Sequence, residues 1–306
     1  MDRRLAGAMA GIGSAVLFGI SAPLSKRLLA ETDPWMLAGL MYVGAGGGLA
    51  LYGAARGVWG AGVTQDPVLG RGDWVRLTAI AVIGGGAGPV LLMFGLARLS
   101  GVAGALLLNL EAVFTALLAI AVFGERVIRI ELAAILVVLA GAVAVTVTGG
   151  PFQADWLGAG AVAGACLAWG VDNNLTARLS RRNPVNLVRF KALTAGAGNV
   201  ALATAAGHPW PVARVVGISL AVGFVSYGLS VVLDVYALRF VGAARESAYF
   251  ATAPFAGALA AAPLLGESIA GHDVAGGCLM AVGVAMLIAA RGRDDDGTGM
   301  AGAQAP

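Results

Sequence analysis

Ten runs of mostly apolar residues, each about as long as a membrane-crossing helix, dominate the sequence. The hydrocarbon core of a bilayer is about 30 Å thick, and an α-helix needs about 20 residues to cross it. Backbone groups inside lipid must bond to one another, so each run is predicted to be helical. The predicted spans cover approximately residues 5–25, 35–55, 75–97, 101–123, 131–149, 155–178, 186–206, 213–237, 244–265 and 273–290.

The composition supports this interpretation. Of the 306 residues, 58% are hydrophobic and 12% are charged, against about 45–50% and about 25% in soluble domains. The first run is followed by nine more and lacks a clear cleavage site, so it is predicted to be a retained helix and not a signal peptide. The predicted fold is an all-α polytopic membrane protein with ten transmembrane helices, which leaves no room for a soluble catalytic domain.

Lysine and arginine residues are distributed unequally between the two predicted membrane faces. Fourteen of the 20 fall near the face that carries both chain termini, whereas four fall near the other face: Lys26, Arg27, Arg98 and Arg214. Cytoplasmic loops carry an excess of these residues, so both termini are predicted to be cytoplasmic. Residues 291–306 are polar and rich in glycine, and they are predicted to form a disordered cytoplasmic tail.

The two halves of the chain resemble each other in sequence. The segment "GSAVLFGISAPLSKRL" (13–28) aligns with "GACLAWGVDNNLTARL" (164–179), and "VFGERVIRIELAAILVVLAG" (122–141) aligns without gaps with "LLGESIAGHDVAGGCLMAVG" (264–283). Each half is therefore predicted to be a five-helix unit, covering 1–149 and 150–290. Five is an odd number, so the second unit is expected to enter the membrane from the opposite side, as in many secondary transporters.

The same residues resemble a known family. The plan of five plus five helices, the FGE and LGE triplets at Glu125 and Glu267, and Trp169-Gly170 before a polar cluster are similar to EamA-type members of the drug/metabolite transporter superfamily. The resemblance extends over about residues 5–290. It implies a ten-helix carrier of the bacterial inner membrane, often an exporter of amino acids or other small metabolites. Because the triplets occur in both halves, their glutamates are expected to be structural, as helix caps or arginine partners.

Glu111 lies in the middle of the apolar run "LLLNLEAVFTALLAIAVFGE" (106–125). An acidic residue at mid-helix costs about 2.5–3.5 kcal/mol on insertion scales, and such residues face a bundle interior or a wet cavity. Glu111 and its neighbour Asn109 align with alanines in the other half, so the polar groups concentrate where the halves differ. Two hypotheses follow: Glu111 is a cavity residue that binds a proton or a cationic amine, or it forms a static buried pair with a base such as Lys191.

Other candidate site residues are polar or aromatic groups inside the predicted spans. Three successive helical positions are 100° apart, so at least one of the triplet Asp172, Asn173 and Asn174 must face inward. The triplet is either a headgroup-level helix end or a site at the cytoplasmic mouth, and Asp234 is expected to be an ordinary interfacial charge. The remaining candidates are Arg189, Lys191, Trp169, Tyr227 and Tyr249, where aromatic packing or anchoring is the alternative for the three rings.

The expected function is secondary transport of a small metabolite, with proton coupling through Glu111. The acids, amides and bases among the candidates suit a zwitterion such as an amino acid. An uncoupled facilitator or channel, a membrane enzyme and a scaffold are the alternatives. The sequence contains no GxxxxGK[ST] motif for ATP and no cofactor motif, and both cysteines are expected to be small core residues. The expected partners are a small-molecule substrate and the lipid bilayer, without nucleic acid; a homodimer is compatible with the sequence.

Overall fold

The computed structural model describes residues 3–58, 73–123, 129–147, 155–179 and 184–301, and every regular element in these ranges is helical. Two of the elements are short π-helical segments, Ile80–Ala87 between α4 and α5 and Phe224–Leu229 between α11 and α12. The α-helices are α1 (Arg3–Gly19), α2 (Ser21–Leu28), α3 (Pro34–Val58), α4 (Trp74–Ala79), α5 (Gly88–Arg98), α6 (Gly101–Leu107), α7 (Leu110–Phe123), α8 (Arg129–Thr146), α9 (Trp156–Ala177), α10 (Pro184–Ala205), α11 (Ala213–Gly223), α12 (Ser230–Val241), α13 (Ala243–Phe250), α14 (Ala253–Leu265) and α15 (Gly271–Ala301).

Eight stretches of helix in the described ranges are long and apolar enough to cross a membrane. Large apolar side chains on their outer surfaces, such as Leu51 and Val75, are 74% and 83% exposed, as expected of groups that face lipid. The stretches are Arg3–Leu28, Pro34–Ala55, Trp74–Arg98, Gly101–Val122, Arg129–Thr146, Ala213–Val241, Arg245–Leu265 and Gly271–Ala290. The protein is therefore a multi-pass membrane protein.

The other two predicted spans correspond to α9 and α10, which do not reach the same hydropathy. Each has 22 residues, so both are long enough to cross a bilayer. They carry the polar residues of the candidate site, including the triplet that begins at Asp172 on α9 and Lys191 on α10. The prediction of ten transmembrane helices is thus confirmed for eight.

The predicted unit boundaries and the predicted tail stay predictions. Helix α15 continues through Ala301, and residues 302–306 lie outside the described residues. Of the two cysteines, Cys166 is a buried core residue as expected, but Cys278 is exposed, so its assignment to the core was wrong.

Helices from the two halves pack against each other in matching pairs. Helix α1 contacts α12 in the way that α9 contacts α5, so the first helix of each half packs against the third helical stretch of the other. Three further pairs join the second, fourth and fifth helical stretches of one half to the same stretches of the other: α3 with α10, α6 with α14, and α8 with α15. The halves therefore interlock along their whole length and share one core.

Glycines on α3 allow this close packing. A Cβ added at Gly44 would lie 2.1 Å from the carbonyl oxygen of Leu220 on α11. One turn further along, a Cβ at Gly48 would lie 2.0 Å from the ring of Phe224. Both distances are far below van der Waals contact, so only glycine permits α3 and α11 to approach this closely. The small-xxx-small spacing at these positions, visible in the sequence, therefore marks a helix contact.

Helical continuity is interrupted at equivalent places in the two halves. The π-helical segments Ile80–Ala87 and Phe224–Leu229 interrupt the third helical stretch of each half. Turns at 108–109 and 251–252 interrupt the fourth stretch of each half, between α6 and α7 and between α13 and α14. Pro254 follows the second of these turns and has no N–H to donate to the preceding turn. The third and fourth helical stretches of each half are thus both interrupted.

Glu267 caps α6 at the end of the bundle opposite the chain termini. Its two carboxylate oxygens accept hydrogen bonds from the backbone N–H groups of Gly101 and Val102, at 2.8 and 3.0 Å. A carboxylate satisfies N–H groups that the first helical turn leaves without partners. The predicted structural role of Glu267 is therefore confirmed, whereas Glu125 lies outside the described residues.

Two basic side chains join separate helices at the same end. Lys26 Nζ donates to the backbone carbonyl of Leu96 at 3.0 Å, and Arg27 donates to the carbonyl of Leu264 at 3.3 Å. Together with the Glu267 cap, these bonds join α2, α5, α6 and α14. We call the four helices and their bonds the closed end. The cavities of the protein lie in the other part of the bundle, toward the chain termini.

Candidate functional site

Two adjoining cavities of about 380 and 240 Å³ occupy the interior between the halves. Four residues line both of them: Phe18, Glu111, Asn173 and Phe250. Residues of α13, including Glu246, and of α14 and α15 line the larger cavity. Residues of α3, α9, α10 and α12 line the smaller one. Volumes of about 300–1,000 Å³ are usual for small-molecule sites. The candidate site is therefore a divided cavity with Glu111 in its dividing wall.

The interruption between α6 and α7 brings Glu111 to this wall. Asn109 lies at the turn, where its side-chain amide donates to the carbonyl of Leu106 at 2.8 Å. Glu111 follows in the first turn of α7, and its Oε1 accepts a hydrogen bond of 2.7 Å from Asn173 Nδ2 on α9. The predicted static pair between Glu111 and Lys191 does not form. A residue of the first half thus bonds directly to one of the second.

Lys191 pairs instead with Asp172. Its Nζ lies 2.6 Å from Asp172 Oδ2, and the two side chains are 16% and 4% exposed. Thr176, one helical turn beyond Asp172, donates to Oδ1 at 3.2 Å. The ammonium therefore does not extend to the membrane surface. Its positive charge is balanced by Asp172 within the smaller cavity.

Trp169 is held by an unusual backbone bond. In the π-helical segment, each carbonyl accepts from the residue five positions later, which for Gly84 is Pro89, a residue without an N–H. The free Gly84 carbonyl instead accepts a 2.9 Å hydrogen bond from Trp169 Nε1. A Cβ at Gly84 would lie 2.4 Å from the Asp172 carboxyl group. The combination of glycine and proline in this segment therefore positions both Trp169 and Asp172.

The three residues of the triplet on α9 either bond to neighbouring helices or line the cavities. Asp172 is buried, Asn173 faces both cavities, and Asn174 donates to the backbone carbonyl of Thr115 at 3.1 Å and to that of Gly170 at 2.8 Å. The triplet thus joins α9 to α7. The role of the triplet as a site at the cytoplasmic mouth stays a prediction.

Four aromatic residues in mutual contact, Phe18, Tyr42, Tyr227 and Phe250, form one side of the smaller cavity. Tyr227 is buried with its ring centroid 5.6 Å from that of Tyr42 and 5.7 Å from that of Phe18. Phe18 in turn lies 5.1 Å from Phe250. Such contacts fix the rings and leave their faces and edges toward the cavity.

Three of the candidates do not line either cavity: Tyr249, Arg189 and Asn174, whose side-chain amide bonds to backbone carbonyls of α7 and α9. Tyr249 packs against Gly11 of α1, on the other face of α13 from Phe250. The guanidinium of Arg189 lies beside Gly53 of α3, and Arg189 precedes the cavity-facing Lys191 by two residues, so the two side chains leave α10 about 200° apart. The structure therefore brings the other seven candidates to the cavities and not these three.

Asp234 was expected to be an ordinary interfacial charge, and that expectation was wrong. It lines the smaller cavity, and its Oδ1 is buried without a hydrogen-bond partner in the described part of the chain. Its carboxyl group interacts directly with that of Glu246, which lines the larger cavity. The two acids thus form a pair between α12 and α13.

Sequence reasoning missed Glu246, Phe18 and Phe250. Glu246 lies in the first turn of a helix, where an acidic residue is ordinary. The two phenylalanines have the same sequence environment as any core residue. The available signal was in the repeat, because Phe18 aligns with Trp169 of the other half and the two rings line the same cavity.

Comparison with known proteins identifies the same architecture. The model of the EamA-like transporter family matches residues 5–147 and again residues 156–289. A protein of Methanothermobacter thermautotrophicus described as an uncharacterized transporter is 26% identical over 301 residues, which cover 93% of this chain and 87% of that protein. A solved crystal structure is similar in fold, with a TM-score of 0.65 and 22% identity over 92% of this chain and 97% of its own.

Proposed function

The chain belongs to the EamA-like transporter family, and we propose that it is a secondary transporter that exports a small metabolite, of the size of an amino acid, by alternating access. The bacterial inner membrane is the proposed location, with both termini in the cytoplasm. The excess of lysine and arginine on the face that carries the termini supports this orientation.

The observation that carries the proposal is the position of Glu111. It lies in the wall between two cavities and bonds to Asn173, so the contact joins the two halves of the protein. A carboxyl group in this position can hold either a proton or a cationic group of a substrate. Movement of one half against the other would break or remake the bond. Occupancy of Glu111 is thereby linked to the arrangement of the halves.

The proposed fold has ten membrane-spanning helices in two inverted five-helix repeats, 1–149 and 150–290. We assign the remaining two spans to α9 and α10, because each is long enough to cross a bilayer and their charged residues Asp172 and Lys191 line the smaller cavity. The interruptions at equivalent positions of the two halves support the repeat. Binding sites between inverted repeats near mid-membrane are typical of secondary transporters.

Proton coupling follows from competition at Glu111. In the proposed exchange, a proton from outside displaces substrate from the carboxylate, and substrate from the cytoplasm displaces the proton. The inward proton gradient then drives substrate outward. The closed end holds the protein in the state from which substrate enters from the side of the termini.

The test is counterflow with purified protein in liposomes, using a radiolabelled metabolite mixture. Glu111→Gln keeps the shape and the bond from Asn173 but cannot exchange a proton. We expect it to abolish transport driven by a pH gradient. If Glu111→Gln leaves both the counterflow and the transport driven by a pH gradient unchanged, Glu111 is not part of the mechanism.

A matched control is Glu31→Gln. Glu31 is an exposed acid that pairs with Arg214 at the opposite end from the cavities, so its replacement makes the same charge change without touching the site. We expect this variant to transport as the unmodified protein does. Single-channel currents in a planar bilayer would contradict the carrier mechanism and identify a channel.

A further inference from the structure

The charged residues of the divided cavity are strongly unbalanced. Four carboxyl groups line it, and Lys191 is the one basic side chain among the described lining residues. Lys191 is already paired with Asp172 at 2.6 Å. The unbalanced carboxyl groups are then Glu111, Asp234 and Glu246.

Bound protons can neutralise some of these three carboxyl groups and still leave negative charge that can bind a cation. Asp234 and Glu246 interact directly, so the two can share one proton and keep one negative charge. Asp234 Oδ1 is buried and has no hydrogen-bond partner in the described part of the chain. A buried acceptor without a donor costs free energy, so the cavity is better satisfied when a donor enters it.

The apolar lining of the larger cavity defines the rest of a ligand. Leu108, Val284, Leu287 and Ile288 form its wall, so it can hold an apolar body. Phe18 and Phe250 border both cavities, beside Glu111. Aromatic faces next to carboxylates are the usual environment for an ammonium group.

The geometry points to an amphipathic organic cation as the ligand of this cavity: a primary or substituted amine, held between Glu111 and the Asp234–Glu246 pair, with an apolar body. This inference rests on the proposed function, because it names the class of solute that is carried. It also replaces the zwitterion expected from the sequence. The carboxylate of an amino acid would find Lys191 occupied and Arg189 outside the cavity.

A series of three probes separates the alternatives by charge. 2-Phenylethylamine, phenylalanine and 3-phenylpropionate share a phenyl body and are a cation, a zwitterion and an anion at neutral pH. Binding to the purified full-length protein is measured by titration calorimetry in detergent. We expect the amine to bind roughly tenfold or more tightly than phenylalanine, since the added carboxylate faces acids. The anion should bind weakest.

Glu246→Gln tests the acid pair while retaining size and hydrogen bonding. We expect it to weaken binding of 2-phenylethylamine by roughly tenfold, with Glu31→Gln as the control that leaves binding unchanged. Equal or tighter binding of phenylalanine, failure of all three probes to bind, or no effect of Glu246→Gln would each overturn the inference. The probe series on the unmodified protein stays decisive if Glu246→Gln fails to fold.

Liposome transport then distinguishes this inference from the proposed function. Counterflow of a zwitterionic or anionic metabolite, with the amine excluded, would leave the transporter standing and remove the cation preference. Amine binding without transport of any solute would retain the cation site and remove the carrier mechanism. Counterflow of the amine supports both.

Discussion

The buried ion pair of Lys191 and Asp172 is expected to contribute to the stability of the protein only while both partners are present. Removal of one partner from a buried pair leaves an uncompensated charge, at about 3–5 kcal/mol, whereas removal of both can be nearly neutral. We therefore expect Lys191→Met to lower the free energy of unfolding by about that amount. The double variant Lys191→Met with Asp172→Asn should recover a large part of the loss. Denaturant unfolding in detergent micelles measures both.

The exposed pair of Arg98 and Asp155 is the control for this experiment. Their side chains are 49% and 31% exposed, and such pairs contribute about 0–1 kcal/mol. The backbone N–H of Gly158 and the Arg98 guanidinium lower the pKa of Asp155. Arg98→Met should leave unfolding nearly unchanged at neutral pH. A loss as large as that of Lys191→Met would contradict the assigned role of burial.

Trp169 provides a second test, because its partner is a carbonyl that Pro89 cannot satisfy. Trp169→Phe should destabilise the protein by about 1–3 kcal/mol, the usual cost of a buried group left without its bond. Pro89→Ala restores a backbone N–H five residues after Gly84, so the loss from Trp169→Phe should be smaller in that background. Trp156→Phe, at a half-exposed position, is the matched control and should change stability by less than about 0.5 kcal/mol.

Sequence alone identified most polar residues of the candidate site, because an acid or amide in an apolar run is costly and therefore conspicuous. The sequence did not indicate which side chains of different helices pair with each other. Depth along a helix can be read from the sequence, but the rotation of one helix against another cannot. Lys191 was therefore one of the partners that the sequence offered for Glu111, whereas the structure pairs it with Asp172. Glu246 was missed, and Asp234 was expected to be an interfacial charge, because acids near helix ends are ordinary.

Helix α3 owes its close contact with α11 to the glycine face that includes Gly44. Gly44→Ala should destabilise by about 1–3 kcal/mol, since its Cβ would overlap the Leu220 backbone. Gly47, on the same helix, has nothing within 4 Å of an added Cβ. Gly47→Ala should therefore be neutral or stabilising by up to about 1 kcal/mol. Unfolding of the two variants in detergent tests the difference, and equal effects would contradict the packing described for α3.

The helices themselves were largely predictable, but their interruptions were not. Apolar runs of about 20 residues fix where a helix crosses lipid. In the π-helical segment Ile80–Ala87, the Gly84 carbonyl lies five residues before Pro89, and Trp169 reaches this carbonyl from another helix. The contact with Trp169 is tertiary, so no pattern within the span announces it.

Taken as one body, the protein is closed at one end and hollow toward the end that carries its termini. Ser247 is exposed and lines the larger cavity. In a Cys278→Ser background, Ser247→Cys should react with a membrane-impermeant thiol reagent in inverted vesicles and not in intact spheroplasts. Glu31→Cys, at the opposite end, should show the reverse sidedness.

The side from which each cysteine reacts reports the orientation of the protein and the accessibility of its cavity. Reversed sidedness for both positions would show that the termini are outside. Reaction of Ser247→Cys from both sides would show a continuous pore. The distribution of lysine and arginine predicts the orientation and the two aligned segments predict the repeat, yet the sequence could not indicate which end is closed. That depends on a few long-range bonds.

Those bonds at the closed end share one property: each joins a charged side chain to a main-chain group. Lys26 and Arg27 donate to carbonyls, and Glu267 accepts from amides. When these bonds break, each charged group is hydrated and no unpaired opposite charge is left in the protein interior. Bonds of this kind can therefore open and re-form thermally in every transport cycle.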